Sequence, residues 1–365
     1  EVSVLALTSA GRILQLNNIP HLGFKDFLTD MDEDALTWGE SMLLDLGLST
    51  LVDKQESIAY LGLSYKDLVQ RHGEIYAAQA YKEKSRSAFF PITILERVFS
   101  IIRPDLLVST NSPRAEKAAF ITANKLNIPA VCLMDLFDKR EIDDRLGKSK
   151  YASKICVFSD TVKKLLIQAG RNAKDIVVTG NPDFDVLAGE NLKKQAQLFS
   201  LKKKLPDSKV VFWARHAGKA NFNLNASIDD EVIRIAKNNK DLFFIIRPHP
   251  NEPKMFSDLP DNVLISNKED NVHEVILCSN LVLTIASTVG LQAVCCGIPL
   301  ITFDMGPTSM FTPYSKMGLS IGVNSLDQLE SEINAIFKNG YHKKVFVPKA
   351  GNATKNVINV INEYL

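Results

Sequence analysis

Residues 281–304 read LVLTIASTVGLQAVCCGIPLITFD, and the pattern of this stretch decides the fold of the chain. An apolar strand is followed by a turn of small and hydroxylated residues, then by a short apolar helix and a second apolar strand. Gly297 closes the helix, as is typical of a helix C-terminus. The stretch therefore predicts a βαβ unit with two parallel strands.

The first turn of this βαβ unit has the features of an anion site. The first amides of a helix lack intrahelical partners, and the helix dipole places partial positive charge there. Ser287 and Thr288 add hydroxyl donors, and Gly290 would let a ligand approach the backbone. The alternative is an ordinary βαβ unit in which Ser287 is only the N-cap of the helix.

Length and composition limit the classes of protein that the chain can belong to. With 365 residues, 45% of them hydrophobic, the chain predicts a globular protein of two domains. A net charge of +1 argues against a nucleic-acid partner. The sequence predicts neither a membrane span nor a signal peptide. Five cysteines without metal-site spacing predict reduced, buried thiols, a cytoplasmic protein and no bound metal.

The first half predicts a strand at its start and a regular βαβ alternation further on. Residues 2–7 predict a strand, and residues 23–48 predict a solvated connection, with a mobile loop over a cleft as the alternative. The pattern of residues 65–102 is helical. Alternating strands and helices from residue 103 onward predict a parallel, doubly wound sheet. The predicted strands are residues 104–108, 130–134, 155–158 and 176–178, with helices at 114–126 and 162–169.

A second alternating series follows a lysine-rich boundary at residues 186–208. Its predicted strands are residues 210–213, 242–246, 263–265, 281–285 and 300–303, and its helices include 229–238, 273–277, 326–337 and 353–365. The organisation expected is an N-terminal Rossmann-like domain (1–190), a C-terminal one (205–345) and a final helix (352–365). The fold class predicted is α/β, with two similar halves facing a cleft.

Cationic and hydroxylated side chains follow the strands of the second half, where a doubly wound sheet collects them at one edge. Arginine can hold a phosphate with two hydrogen bonds, and lysine acts as a point charge. In Arg247-Pro248-His249-Pro250 the prolines restrict the backbone of the histidine, so His249 is predicted to contact a phosphate or sugar oxygen. The alternative is that His249 is an ordinary surface residue at the end of a strand. The predicted donor-binding residues are Arg215, His216, Lys219, Arg247, His249, Pro250, Ser287, Thr288 and Gly290.

Transfer to an acceptor hydroxyl needs a base, and the first half supplies candidate carboxylates. Asp135 directly follows a predicted strand and is the first choice, so Asp135 and His249 are the predicted catalytic residues. Asp138, Glu116 and Asp183 remain alternatives, each of which could equally be a cap or a solvated carboxylate. The turn that contains Asp183 is predicted to be a turn element or hinge.

The motifs VTGNPDFD (178–185), RPHPNE (247–252) and ASTVG (286–290) resemble the GT-B glycosyltransferase superfamily. The resemblance implies two Rossmann-like domains, a nucleotide-sugar donor on the C-terminal one, an acceptor on the N-terminal one, and no essential metal or resident cofactor. It also implies that the last helix crosses back to the first domain. Among bacterial capsule and lipopolysaccharide enzymes that use CMP-Kdo or CMP-sialic acid, the matching histidine and serine bind CMP. These residues are His249 and Ser287 here.

The function expected is glycosyl transfer from a CMP- or UDP-linked sugar to a glycan or lipid-linked acceptor in bacterial surface polysaccharide synthesis. Three alternatives stay open: a non-hydrolysing UDP-GlcNAc 2-epimerase, whose His-Arg motif is loosely echoed by Arg215-His216; a CDP-polyol phosphotransferase of the teichoic-acid type; and a non-catalytic sugar-binding protein. A lipid-linked acceptor would bring the protein to the inner face of the membrane. The sequence leaves the oligomeric state open.

Overall fold

Two sheets with helices on their faces form the chain, in agreement with the predicted α/β class. The computed structural model describes the chain apart from residues 8, 48–51, 136, 138, 149, 208, 217–220, 250–255, 307 and 341–344. Its strands are β1 (Leu107–Thr110), β2 (Ala130–Leu133), β3 (Lys154–Val157), β4 (Ile176–Val178), β5 (Val210–Ala214), β6 (Phe243–Arg247), β7 (Val263–Ile265), β8 (Leu281–Thr284), β9 (Leu300–Phe303) and β10 (Ile321–Val323).

The helices alternate with these strands from β1 onward. They are α1 (Ser9–Leu16), α2 (Glu33–Leu46), α3 (Lys54–His72), α4 (Glu74–Lys84), α5 (Ile92–Ile102), α6 (Ala115–Lys125), α7 (Lys139–Glu141), α8 (Asp160–Gln168), α9 (Glu190–Lys203), α10 (Phe222–Asn238), α11 (Val272–Leu277), α12 (Thr288–Cys295), α13 (Thr308–Phe311), α14 (Leu329–Asn339) and α15 (Ala353–Ile361). Among the described helices, none combines the length and the hydropathy that a bilayer crossing requires.

The chain divides into two compact units. Unit 1 comprises residues 1–132, 150–153 and 364–365, and unit 2 comprises residues 133–149 and 154–363. The division predicted from the sequence, with a boundary between residues 190 and 205, stays a prediction. The first sheet has the strand order β1-β2-β3-β4, and the second has the order β10-β9-β8-β5-β6-β7.

The second sheet is parallel throughout and lies at the centre of unit 2. Each pair of neighbouring strands in it runs in the same direction. Every residue of β5, β8 and β9 is buried. Strands covered on both faces are continuous apolar runs, which is why residues 281–285 and 242–246 could be recognised in the sequence. The largest side chain of this core, Trp213, packs edge-on against Phe303 at 5.3 Å between ring centroids.

Unit 1 departs from two of the predictions. Residues 2–7 do not form a strand, because Leu5 makes only an isolated bridge to Leu22 and α1 begins at Ser9. Residues 23–48 are not a solvated connection, because they contain two short 3-10 turns and the helix α2. Gly39 of α2 and Gly62 of α3 allow the two helix backbones to meet. A Cβ atom on either glycine would lie 2.1 or 1.8 Å from a carbonyl oxygen of the other helix.

A buried aspartate anchors the first turns of unit 1. Asp32 is completely buried, and its carboxylate accepts hydrogen bonds from Arg97 NH1 at 2.6 Å and from the backbone and hydroxyl of Thr29 at 2.9 and 2.8 Å. Lys66 Nζ lies 3.3 Å from the other carboxylate oxygen. Burial by itself would raise the pKa of Asp32, but the hydrogen bonds from Arg97 and Thr29 outweigh it and hold the pKa far below its usual range. The ionised carboxylate of Asp32 is therefore a structural element of unit 1.

The last helix of unit 2 is held by a residue from the region after β4. The carboxylate of Asp185 accepts hydrogen bonds from the backbone N–H groups of Gly351, Ala353 and Thr354 at 2.7, 3.0 and 2.7 Å. Ala353 and Thr354 are the first two residues of α15, whose N–H groups lack intrahelical partners, so Asp185 acts as a cap supplied from a distant part of the sequence. The side chain of Asn356 adds a hydrogen bond to the carbonyl oxygen of Thr179 at 3.1 Å.

Candidate active site

The two central strands of the second sheet, β5 and β8, mark the point where the strand order reverses. From β5 the chain proceeds to β6 and β7 on one side, and from β8 it proceeds to β9 and β10 on the other. In doubly wound sheets, ligands bind outside the carboxyl ends of the strands at such a switch point. The residues that follow β5 and β8 are therefore the first candidates for a binding site.

One hydroxyl ties the ends of these two strands together. Thr284, the last residue of β8, lies opposite Ala214 of β5 and is fully buried. Its Oγ1 donates a hydrogen bond to the carbonyl oxygen of Ala214 at 3.0 Å and accepts one from the backbone N–H of Ser287 at 3.3 Å. The turn that precedes α12 is thus held in place against the end of β5.

The helix α12 begins at the predicted position. Ser287 is its N-cap, with an extended backbone, and the Ser287 Oγ accepts a hydrogen bond from the backbone N–H of Val289 at 3.3 Å. Thr288, the first residue of the helix, is exposed. Ser287 therefore caps the helix, as the alternative interpretation predicts, and the capped N-terminus of α12 lies at the switch point.

Gly290 has a packing reason that the sequence did not reveal. It is buried, and a Cβ atom at this position would lie 3.0 Å from the side chain of Leu300 and 3.1 Å from the side chain of Thr284. The glycine lets α12 pack closely on β8 and β9. Packing alone accounts for this residue, and contact of a ligand with its backbone stays a prediction.

Arg215 is the first residue after β5, and its guanidinium is buried with unused donors. The side chain is 1% exposed, and its Nε lies 3.9 Å from Asp229 Oδ2. Within the described part of the chain, neither Nε nor NH1 finds a hydrogen-bond partner. A buried donor left without a partner costs about 1–3 kcal/mol, so such groups in a folded protein call for an explanation.

Two polar residues of α10 support this strand end, and the sequence analysis missed both. Asp229, completely buried, accepts a hydrogen bond from Trp213 Nε1 at 2.9 Å. Asn225, one turn earlier, donates to the carbonyl oxygen of His216 at 2.8 Å. Both residues share the face of α10 that buries Ile228. Polar residues four apart on an otherwise apolar helix face were the signal that could have found them. The helix was expected to begin at residue 229, but it begins about two turns earlier, at Phe222.

Arg247 also ends a strand, but it is anchored in the structure. Its NH1 donates hydrogen bonds to Ser266 Oγ at 2.9 Å and to the carbonyl oxygen of Asp270 at 2.9 Å. Burial lowers the pKa of Arg247, with the charge of Asp270 opposing that shift. At least one of its guanidinium nitrogens therefore holds the connection between β7 and α11, a role that was not predicted.

The remaining predicted donor-binding residues follow β5 and β6. His216 comes directly after Arg215, and His249 comes two residues after the end of β6; both are half-buried. Because β6 and β8 flank β5 in parallel, the segments that carry His249 and Ser287 leave the same edge of the sheet. Lys219 and Pro250 lie outside the described residues.

A mainly apolar pocket within unit 2 includes the predicted base. Asp135 is exposed, follows β2 as expected, and lines this pocket together with Leu291 of α12. The full lining is Met134, Asp135, Phe137, Phe158, Val162, Asn181, Phe184, Leu291, Tyr314 and Met317. The pocket therefore brings a carboxylate that follows the first sheet to a wall formed by α12.

Two polar groups of the pocket have structural partners. The phenol of Tyr314 is buried, its hydroxyl donates to the carbonyl oxygen of Ala286 at 3.5 Å, and burial raises its pKa. Asn181 caps a short 3-10 segment by accepting a hydrogen bond from the backbone N–H of Asp183 at 3.1 Å. The turn that contains Asp183 is thus a capped turn element, one of the two roles predicted for it. Asp138, another alternative base, lies outside the described residues.

Comparison with known protein families finds a match for part of the chain. Residues 139–290 match the family described as CDP-Glycerol:Poly(glycerophosphate) glycerophosphotransferase. The matched segment is less than half of the chain, and it contains Arg215, Arg247, His249 and Ser287. A search of curated proteins found no match to this chain.

Solved structures share the fold at low sequence identity. S. aureus MnaA, solved with UDP, is 18% identical over 78% of this chain and 81% of its own, with a TM-score of 0.55. The UDP-GlcNAc 2-epimerase from Neisseria meningitidis, bound to UDP-GlcNAc, is 15% identical over 99% of this chain and 100% of its own, with a TM-score of 0.56. The epimerase from Methanocaldococcus jannaschii is 16% identical over 74% and 80%, with a TM-score of 0.54.

These comparisons define the class of protein. The chain has an α/β, GT-B-like fold with parallel Rossmann-like sheets, as the sequence predicts. The family match supports an enzyme of the transferase class. The similar structures from S. aureus and Neisseria meningitidis were solved with UDP and with UDP-GlcNAc, respectively.

Proposed function

We propose that the protein is a nucleotide-dependent transferase that moves a polyol phosphate, of the glycerol phosphate kind, from a CDP-linked donor to a hydroxyl of a bacterial surface polymer or its lipid-linked precursor. The family match over residues 139–290 supports this donor class above a sugar nucleotide. It makes one of the alternatives from the sequence analysis the leading candidate.

One observation carries the proposal: the buried Arg215 guanidinium has unused donors at the switch point between β5 and β8. A donor phosphate would supply the missing acceptors, and a charge-assisted hydrogen bond is about twice as strong as a neutral one. The N-terminus of α12, which follows the neighbouring strand β8, adds partial positive charge. Together they would stabilise the negative charge that grows on the departing nucleotide.

The proposed reaction balances without a resident cofactor. The acceptor hydroxyl oxygen attacks the phosphorus that carries the polyol. A new phosphate ester bond forms, the bond to the bridging oxygen of the donor breaks, and CMP leaves. Asp135 is proposed to take the proton of the acceptor hydroxyl, and His249 to contact the donor phosphates. The transfer is proposed to need no metal, so activity should survive treatment with EDTA.

Glycosyl transfer from a CMP- or UDP-linked sugar is the second candidate. It is favoured by the pairing of an Arg-Pro-His-Pro turn with a Ser-Thr helix start, which resembles the CMP-sugar enzymes of capsule and lipopolysaccharide synthesis. The same cationic site would serve a departing nucleotide in either reaction. An epimerase has weaker support, because the likeness to the epimerase structures concerns the fold alone.

The deciding experiment compares donors and products. The protein is screened by thermal shift against CDP-glycerol, CMP, UDP-GlcNAc and UDP, because a ligand that binds the folded state raises the melting temperature. The preferred donor is then incubated with a poly(glycerol phosphate) acceptor and followed by ³¹P NMR. A new phosphodiester signal with release of CMP is expected. A product without phosphorus in the new linkage would assign glycosyl transfer, and turnover of UDP-GlcNAc without acceptor would assign an epimerase.

A further inference from the structure

Three buried side chains form a chain of contacts beneath the end of β5. Trp213 Nε1 donates to Asp229 Oδ1 at 2.9 Å, and Asp229 Oδ2 lies 3.9 Å from Arg215 Nε. The side chains of Arg215 and Asp229 are 1% and 0% exposed, and Trp213 is fully buried. Water therefore contributes little to the balance of charge between the arginine and the aspartate.

The geometry of this ion pair is incomplete in a specific way. An arginine and a carboxylate that pair for stability commonly make two parallel hydrogen bonds of about 2.7–2.9 Å. Here the separation of 3.9 Å is too long for a hydrogen bond, and Arg215 Nε and NH1 keep their protons unshared within the described residues. One oxygen of Asp229 accepts the hydrogen bond from Trp213, and the other is the one nearest to Arg215. The pair thus balances charge without consuming the donors of the arginine.

We propose that Asp229 is a counter-charge that acts through Arg215 and limits the affinity of the site for phosphate. Before the donor binds, Asp229 keeps the buried guanidinium electrically compensated. When the donor binds, its phosphate supplies the hydrogen bonds and competes with Asp229 for the same positive charge. The nucleotide product is therefore held less tightly than by an uncompensated arginine, which favours its release. This inference rests on the proposed function, because it assumes that Arg215 contacts a phosphate.

The test removes the charge of Asp229 and keeps its shape. In Asp229→Asn the amide oxygen can still accept from Trp213, but the compensation of Arg215 is lost. We expect inorganic pyrophosphate to bind about tenfold more tightly by calorimetry than in the wild type, because an opposing charge has been removed at close range. Both KM for the donor and kcat should fall, since release of product slows. An unchanged or higher Kd for pyrophosphate would overturn the proposal.

Matched variants separate this role from a structural one. Trp213→Phe removes the hydrogen bond to Asp229 and keeps both charges, so the Kd for pyrophosphate should stay within about twofold of the wild-type value. A merely structural Asp229 would instead lower the melting temperature without tightening the binding of pyrophosphate. If Asp229→Asn folds only when pyrophosphate is present, the counter-charge role is supported. Asp229→Asn could instead stay unfolded with pyrophosphate present, while the double variant Asp229→Asn with Arg215→Gln folds. That result would overturn the proposal that a phosphate can replace Asp229 as the partner of Arg215.

Failure of this inference can be distinguished from failure of the proposed function. Arg215→Gln alone tests the phosphate site, because it should abolish pyrophosphate binding whatever Asp229 does. If Arg215→Gln loses pyrophosphate binding and Asp229→Asn keeps the wild-type Kd, only the counter-charge role of Asp229 is contradicted. Wild-type binding of pyrophosphate in Arg215→Gln would remove the phosphate site and the inference together.

Discussion

Each unit of the protein buries a carboxylate beside an arginine, and the two pairs differ in how completely they are hydrogen-bonded. In unit 1, Asp32 is surrounded by donors from Arg97, Thr29 and Lys66 at 2.6–3.3 Å. In unit 2, Asp229 stands 3.9 Å from Arg215, which keeps two donors unshared. A buried pair with complete hydrogen bonds is a fixed part of the fold, whereas an arginine with unshared donors can still bind a ligand.

The largest effect expected is on activity in unit 2. Arg215→Gln should lower the rate of transfer by about 10²–10³-fold, because it removes a donor aimed at developing charge. The melting temperature should fall as well, because the variant leaves the buried carboxylate of Asp229 without the charge of Arg215, so rates are compared well below the unfolding midpoint. Initial rates of CMP release measure the effect.

The matched control for this prediction is an arginine outside the site. Arg234→Gln changes a half-exposed arginine that pairs with Glu231 and Glu330 at 2.8 Å. Its transfer rate should equal that of the wild type. Equal losses in both variants would mean that Arg215 has no special part in the reaction.

The next effect is on stability in unit 1. Asp32→Asn should destabilise the protein by about 3 kcal/mol, because it leaves buried cationic partners uncompensated. Asp34→Asn is the control: Asp34 also contacts Lys66, at 2.7 Å, but its side chain is 48% exposed, so the cost should stay below about 1 kcal/mol. Urea unfolding compares the variants, and similar midpoints for the two would contradict a structural role for Asp32.

The same carboxylate should make unit 1 sensitive to acid. The pKa of Asp32 is lowered in the folded state, so its contribution is complete above the ordinary aspartate pKa near 4 and is lost as the pH falls below that value. The gap in stability between the wild type and Asp32→Asn should therefore narrow by up to about 1.4 kcal/mol per pH unit below pH 4. Melting curves between pH 7 and pH 3 measure it. A gap that stays constant over this range would refute the depressed pKa.

The smallest effect separates the two arginines at the strand ends. Arg247 donates to Ser266 and to the carbonyl of Asp270, so Arg247→Gln should cost about 1–2 kcal/mol of stability. Its transfer rate should fall by less than about tenfold, well below the loss expected for Arg215. A loss of activity as large as that of Arg215→Gln would show that Arg247 also serves the ligand directly.

The fold of unit 2 could be predicted from the sequence because its signal is local. Strands buried on both faces are unbroken apolar runs in the sequence. Capping residues mark where helices begin and end, as Ser159 does before α8 and Gly297 does after α12. The strand β10 was missed because a glycine interrupts its short apolar run, whereas β4 and β7, which also have three residues, are unbroken apolar runs. Its central Gly322 is explained only by the fold, since a Cβ atom there would lie 2.3 Å from a carboxylate oxygen of Asp304.

The candidate site was only partly predictable, because its decisive feature is an unmade hydrogen bond. That Arg215 follows a strand is visible in the sequence; that its donors are buried and unshared is not. Asp229 was missed because the predicted helix 229–238 begins with it, and an acidic residue in a first helical turn usually faces solvent. Asp32 lies in the stretch 23–48 that was predicted to be a solvated connection, because its partner Arg97 is 65 residues away in the sequence.

The cap that Asp185 provides for α15 has a consequence for the synthesis of the protein. Its three backbone partners lie 166–169 residues further along the chain. While a ribosome is still translating the second sheet, those amides have not been made, and the carboxylate can be satisfied only by solvent. The region after β4 therefore acquires this anchor only after the second sheet has been translated, and nascent chains stalled before residue 351 should remain open to proteases there.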